Sequence, residues 1–234
     1  MKVRLLGHTQ PINRIHSGER ALHGMDNVQD LIAFCARVSN PSNQMNNQTS
    51  EKLLNYLIKH KHWSPFEMAS ATVEVETTRD IARQLLRHRS FSFQEFSQRY
   101  ADPADMGEQF VKRTARLQDP KNRQNSISLN WTNDYERELN TEWQWHQNEV
   151  IKAAERAYKW AIKNGIAKEQ ARAVLPEGNT LSRLYVNGTI RSWIHYIELR
   201  SANGTQLEHI KLAQEVGKAI SAIFPMTSQF INKN

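Results

Sequence analysis

Residues 87–99, RHRSFSFQEFSQR, bring Arg87, His88, Arg89, Glu95, Ser97, Gln98 and Arg99 into 13 positions. Arginine presents a rigid fork of donors that fits a phosphate or carboxylate two bonds at a time, and Ser97 and Gln98 can add neutral bonds to the same oxygens. The chemistry such a set offers is oxyanion binding. The competing reading is a solvated basic surface on which Glu95 pairs with an arginine; Phe91, Phe93 and Phe96 favour an ordered loop, because they can anchor it in a core. Gln84 lies one helical turn before Arg87 and His88, so it shares their surface, and an amide can pair with a base edge through both its donor and its acceptor. Ser97 is a tempting nucleophile, but a serine needs a positioned base, and its neighbours Glu95 and His88 could equally bind ligand.

These groups need a scaffold, and apolar spacing supplies its outline. Leu31, Phe34, Cys35 and Val38 predict a helix over 26–40, capped by Asp26 or Asn27 and stopped by Asn40-Pro41. Leu53, Leu54, Leu57 and Ile58 predict a second helix ending near His60, and alternation from Ala69 to Thr77 predicts a strand. A third helix, capped by Thr77 or Thr78, leads into the arginine cluster. A short strand is expected over 109–117, then a long polar connection, then one long helix over 131–164 on which Trp143 and Trp145 serve the core or an interface. A short helix ends at Pro176. Residues 181–186 form a strand closed by a turn at Asn187-Gly188, a helix spans 189–200, and Thr205 with Glu208 forms a capping box for a last helix carrying Ile210, Ala213, Val216 and Ile220. With no repeat and no linker, residues 1–234 are expected to form a single α+β domain, a mixed or antiparallel sheet flanked by helices.

Thirty-one basic against 24 acidic residues leave a net charge of +7, which suits an anionic partner: nucleic acid, a membrane surface or phosphorylated small molecules. A hydrophobic content of 39% is enough for a core. No apolar run approaches the roughly 20 residues that span a bilayer, and no signal peptide is visible, so a soluble, cytoplasmic protein is expected. Nucleic-acid binding is not expected, since acidic residues are interspersed throughout and no zinc-finger or RRM signature is present. The one cysteine, Cys35, sits on an apolar helical stripe and reads as a buried structural thiol. The nine histidines show no metal-binding spacing, so no metal is expected.

Taken together, RHR, seven residues and SQR resemble the signature of the flavin-dependent thymidylate synthases. CARVS at 35–39, HWSPFE at 62–67, ARAVLP at 171–176 and RSWIHYIELR at 191–200 are similar to further blocks of that family, in family order, with Gln206 and Glu208 following in register. The resemblance implies reductive methylation of dUMP to dTMP, with 5,10-methylenetetrahydrofolate as one-carbon donor, FAD as redox cofactor and NADPH as reductant, in a homotetramer with shared active sites. It implies flavin contacts at Ser39, Ser64, Arg87, His88, Arg89, Glu95, Thr189, Arg191 and His195, with His62 beside the flavin and folate. It implies nucleotide contacts at Gln84, Arg87, Glu95, Phe96, Ser97, Gln98, Arg99, Arg172 and Arg200, of which Arg200 is the catalytic residue that favours loss of the uracil N3 proton.

The physical chemistry agrees with those roles. A nucleotide phosphate carries about two negative charges, which Arg99 and Arg172 would offset, and a cation beside a developing anion lowers its pKa. Reduced flavin also removes the need for a protein nucleophile, which assigns Ser97 to binding. His62 could instead be a helix C-terminal residue favoured by the macrodipole. Arg191 and His195 share a helix face, whereas Arg200 lies about 180° round from Arg191, so either the helix ends before Arg200 or its two faces serve different pockets. The chain departs from the family at Thr189, where asparagine is common, at Gly204, where some members have histidine, at Lys61, which replaces a small residue, and by one residue inserted between Pro176 and Arg191.

Overall fold

A computed structural model describes residues 1–12 and 25–231. Four strands, β1 (Lys2–His8), β2 (Ser70–Thr78), β3 (Ser92–Glu95) and β6 (Leu181–Thr189), form a sheet in the order β1-β2-β6-β3. Every pairing in it is antiparallel. A separate hairpin joins β4 (Arg116–Gln118) to β5 (Ser126–Ser128). The architecture is therefore α+β with antiparallel sheets.

Alternation decides which face is covered. Ala71, Val73 and Val75 of β2 and Leu184 and Val186 of β6 point to one side and are almost fully buried. Over them lie Ile81, Ala82 and Leu85 of α3 (Arg79–Leu85), Ile190, Trp193, Ile194 and Ile197 of α6 (Ile190–Arg200), and Leu212, Ala213, Val216 and Ile220 of α7 (Leu207–Ser221). Each buried Val, Leu or Ile among them contributes about 1.5–3 kcal/mol of burial. The Trp193 indole satisfies its N–H by donating to the Ala71 carbonyl at 3.1 Å. The other face is polar, with Glu76 between Lys2 and Arg183 and Glu74 beside Arg4. Burial pushes the Glu76 carboxyl up, but Arg183 and Lys2 outweigh it and hold it below its ordinary value.

Strands run straight into helices at two places, β2 into α3 at Thr78 and β6 into α6 at Thr189. Thr189 caps α6 by accepting from the Ser192 N–H, whereas the Thr78 side chain makes no such cap. Because β2 and β6 are antiparallel, α3 and α6 start from opposite ends of the sheet, and α7 packs against both; the arginine cluster begins where α3 ends.

Several boundaries differ from the sequence expectations. The first helix, α1, is only Val28–Ala36 and is capped by Asn27. Cys35 is half-buried rather than buried, because the core side of α1 is Ile32 and Ala33; what burial it has pushes its thiol pKa up. No extended strand fills 109–117: Phe110 makes a lone bridge to Thr180, and β4 begins only at Arg116. The supposed polar connection carries β5. Asn187-Gly188 is not a turn but the continuation of β6, paired to Thr72 and Ala71. Thr205 and Glu208 form no capping box; α7 starts at Leu207 behind Gln206, and Glu208 bonds elsewhere. β1 and β3 were not expected at all. The second helix, α2 (Ser50–Lys59), and the 30-residue α4 (Asp134–Lys163) stand where periodicity put them. Trp143 and Trp145 of α4 are exposed, so they are not core residues.

Candidate active site

The arginine cluster is fixed from below. Phe91 is 7% exposed and lies 4.4 Å from the Trp193 ring, centroid to centroid. It sits directly over Gly188, where a Cβ would overlap its ring. Phe93 packs against the core as part of β3. Arg87 and Arg89, on either side of His88, are exposed, and their side chains have no hydrogen-bond or ion-pair partner among the described residues.

His88 itself turns inward. Its Nε2 accepts a hydrogen bond from Nε of Arg200 at 2.9 Å, and its ring packs edge-on to Tyr196. Burial, then the Arg200 charge, pushes the His88 pKa down to about 4, so the ring is a neutral acceptor near pH 7. Arg200 is the last residue of α6, so the helix does not end before it. The two faces of α6 accordingly serve different places: Arg191 pairs with Glu67 and His195 lies 4.7 Å edge-on from Trp63, while Arg200 points to His88. Burial, then the Arg191 charge, also lowers the His195 pKa.

Three groupings of the expected residues result. Gln84, His88 and Arg200 form one, with Gln84 bonded to Gln206 at 2.7 Å and to His209 at 3.1 Å. His62 and Ser64, in the segment after α2, adjoin Arg191 and His195 through Trp63 and Glu67; the His62 ring lies 6.4 Å from Tyr56, and Lys61 before it adopts a positive φ of 58°. The third lies at the end of β3. Glu95 accepts from the Ser182 hydroxyl at 2.8 Å and from Arg79 at 3.5 Å, and the Phe96 N–H donates to the Arg183 carbonyl. Ser97 then starts a turn whose Oγ accepts from the Arg99 N–H at 3.4 Å. Arg99 lies 3.6 Å from the Glu169 carboxylate, and Arg172 donates to the Glu169 carbonyl at 3.3 Å, so Glu169 joins the two arginines. Gln98 is 3% exposed, and its Nε2 is buried without a hydrogen-bond partner.

Ser39 stands apart, exposed beyond α1, with no hydrogen bond to the other site residues among those described. Thr189 is occupied as the α6 cap. The larger cavities lie elsewhere: one of about 430 Å³ is lined by Thr78, Arg113, Arg116, Trp131 and Glu208, none of them an expected contact. One chain therefore holds the expected residues as separate walls.

Sequence reasoning missed Glu169, Glu177, Tyr196 and His209. Glu177 pairs with both Arg79 and Arg83. His209 is fully buried between Gln84 and the Tyr196 hydroxyl, and burial, with Arg200 and His88 adding to it, pushes its pKa down to about 3. A signal existed: His209, Ala213, Val216 and Ile220 share one buried stripe, on which a histidine is the odd member. Ile210, placed there from sequence, is only partly buried.

The profile of the thymidylate synthase complementing protein family matches residues 21–226. A probable flavin-dependent thymidylate synthase of Paramecium bursaria Chlorella virus 1 is 45% identical over 232 residues, 99% of each chain. A flavin-dependent thymidylate synthase of Synechocystis sp. is 42% identical over 225 residues, 96% of each. The crystal structure of the UMP/dUMP methylase PolB from Streptomyces cacaoi, bound with 5-Br dUMP, shares the fold with a TM-score of 0.73 at 23% identity, covering 98% of this chain and 93% of that one.

Proposed function

This chain belongs to the thymidylate synthase complementing protein family, and from that premise we infer that it is a flavin-dependent thymidylate synthase whose nucleotide and flavin sites are the three walls described above. It converts dUMP, 5,10-methylenetetrahydrofolate, NADPH and a proton into dTMP, tetrahydrofolate and NADP⁺. FAD, when bound, supplies the hydride chemistry. The chain's own residues bind, orient and stabilise charge.

The observation that carries the nucleotide site is the buried Gln98 Nε2 that lacks a partner next in the chain to Arg99, which Glu169 joins to Arg172. A buried donor left unpaired costs about 1–3 kcal/mol, and a phosphate oxygen would satisfy it while the two arginines offset its charge. Arg172 and Arg99 then exchange Glu169 for the ligand. Ser97 adds a hydroxyl, and Glu95 and Phe96 line the approach. Neither base that sequence offered to Ser97 is directed at it, since Glu95 takes the Ser182 hydroxyl and His88 takes Arg200. Arg200 faces the uracil ring and stabilises negative charge as the N3 proton leaves.

The residues fit FAD as well. Arg87 and Arg89 offer unspent guanidinium donors to a pyrophosphate, and the Arg191–Glu67 and His195–Trp63 pairs form a second, half-buried wall for a ring system. His62 and Ser64 adjoin that wall through Trp63, whereas Thr189, the α6 cap, and Ser39, which stands apart in the single chain, are assigned to the cofactor by the family resemblance alone.

A homotetramer with shared sites accounts for the separation of these walls. It also accounts for α4, a 30-residue helix that leaves Trp143, Trp145 and Trp160 exposed. The domain is taken as the whole chain, and a cytoplasmic setting fits the unpaired Cys35. The test is twofold. Purified protein should carry flavin that NADPH reduces, and light scattering should give a mass near four chains; a flavin-free monomer that forms no dTMP would overturn the reading.

A further inference from the structure

Behind Gln84 runs a series of hydrogen bonds whose direction is set at one end. Arg116 holds Glu208 through both carboxylate oxygens, at 2.6 and 2.9 Å. Burial pushes the Glu208 carboxyl up, but bonds from Arg116 and Gln206 outweigh it and bring the pKa down to about 2. The group is thus ionised and can only accept. Gln206, 2.9 Å away, must therefore turn its NH₂ toward Glu208. Its carbonyl oxygen then faces Gln84 at 2.7 Å and must receive the Gln84 NH₂. The Gln84 carbonyl faces Nδ1 of His209 at 3.1 Å, which must carry the proton, and the bare Nε2 accepts from the Tyr196 hydroxyl at 3.2 Å.

Every flippable amide and the histidine tautomer in the series follow from the one carboxylate. Reversing Gln84 alone would set two carbonyl oxygens against each other at the Gln206 link. Gln84 keeps one N–H and one oxygen lone pair without a partner among the described residues.

We propose that Glu208 is a specificity-determining positioning residue, which through Gln206 locks the Gln84 amide in the one orientation that matches a uracil edge. The inference rests on the reading that Gln84 contacts the nucleotide. Uracil presents N3–H as donor and O4 as acceptor; cytosine presents N3 as acceptor and its amino group as donor. A freely rotating glutamine can serve either base by flipping. A locked one serves a single pattern and leaves unpaired groups against the other, which is where polar sites gain their discrimination.

The test is the ratio of the dCMP and dUMP dissociation constants, measured by calorimetry on the FAD-loaded enzyme. Glu208→Gln removes the fixed acceptor at nearly constant shape. Gln206→Met breaks the relay while leaving the Arg116–Glu208 pair intact, and it decides the matter if Glu208→Gln fails to fold. Each is expected to lower the dCMP/dUMP ratio by about tenfold, the worth of one mismatched hydrogen bond. Gln84→Ala should weaken dUMP binding itself. If Gln84→Ala leaves dUMP affinity unchanged, the contact on which the inference rests is wrong and the inference falls with it. If Gln84→Ala weakens dUMP while both relay variants keep the wild-type ratio, the lock alone is refuted and the nucleotide site stands.

Discussion

Arg200 donates from its Nε to the imidazole Nε2 of His88 across 2.9 Å, joining the end of α6 to the first turn beyond α3 over 112 positions of sequence. A guanidinium held against a neutral acceptor, with no carboxylate partner among the described residues, keeps its charge uncompensated. That is the arrangement needed to stabilise a developing anion. Arg200→Ala is therefore expected to lower kcat by about 100-fold or more, with a smaller change in dUMP affinity. Steady-state dTMP formation beside dUMP titration separates the two effects. A variant that loses dUMP affinity and keeps kcat would reassign Arg200 to binding.

Two histidines, His209 fully buried and His88 partly so, tie stability to pH. His88 and His209 have folded pKa values of about 4 and about 3, below the ordinary 6.5. The unfolded chain binds protons at these positions first, so their stabilising contribution is complete above about pH 6.5 and is lost as pH falls toward 4 and 3. The slope approaches about 1.4 kcal/mol per pH unit for each histidine. Thermal melts should fall steadily from pH 7 to pH 4, and His209→Asn should flatten that fall. A melting profile unchanged by the substitution would remove His209 from the explanation.

Gly188 carries the arginine cluster indirectly. A Cβ there overlaps the Phe91 ring, which supports the turn after Arg87 and Arg89. Gly188→Ala is expected to cost about 1–3 kcal/mol by overpacking and to reduce flavin occupancy, read from the ratio of flavin to protein absorbance. Wild-type occupancy and melting temperature together would show that Phe91 does not anchor the cluster.

Ser97 lacks a base, so Ser97→Ala should retain measurable dTMP formation with a raised KM for dUMP. Removing one hydroxyl bond to a charged phosphate predicts a change of about 10- to 100-fold in KM. Complete loss of turnover with dUMP binding intact would make Ser97 a nucleophile after all.

Much of this molecule was legible in its residues. The arginine cluster follows from its residue types, and α2, α4 and α6 from apolar spacing, although α4 buries little apolar surface beyond Ala154, Tyr158 and Ala161. The failures are local and physical. β1 reads KVRLLGH, an edge strand in which Leu6 on the exposed face blurs the alternation set by Val3 and Leu5, and β3 hides its alternation within the arginine cluster. Asn187-Gly188 carries turn chemistry, yet pairing with β2 and the ring above Gly188 hold it extended. Thr205 and Glu208 have the spacing of a capping box, but Arg116 offers Glu208 a stronger partner than a backbone N–H. The expected ligand residues were placed by resemblance; the separation of Arg191 and His195 from Arg200 follows from the opposed faces of α6, which the 180° between Arg191 and Arg200 already requires of any helix reaching that far, while the third wall is set by the end of β3.

The most direct test supplies purified, FAD-loaded protein with dUMP, 5,10-methylenetetrahydrofolate and NADPH under anaerobic conditions and follows dTMP by chromatography, with Arg99→Ala and Arg200→Ala run in parallel. Wild-type protein should form dTMP, Arg99→Ala should do so with a raised KM for dUMP, and Arg200→Ala should turn over at a small fraction of the rate. Wild-type protein that binds FAD and dUMP and forms no dTMP would contradict the account.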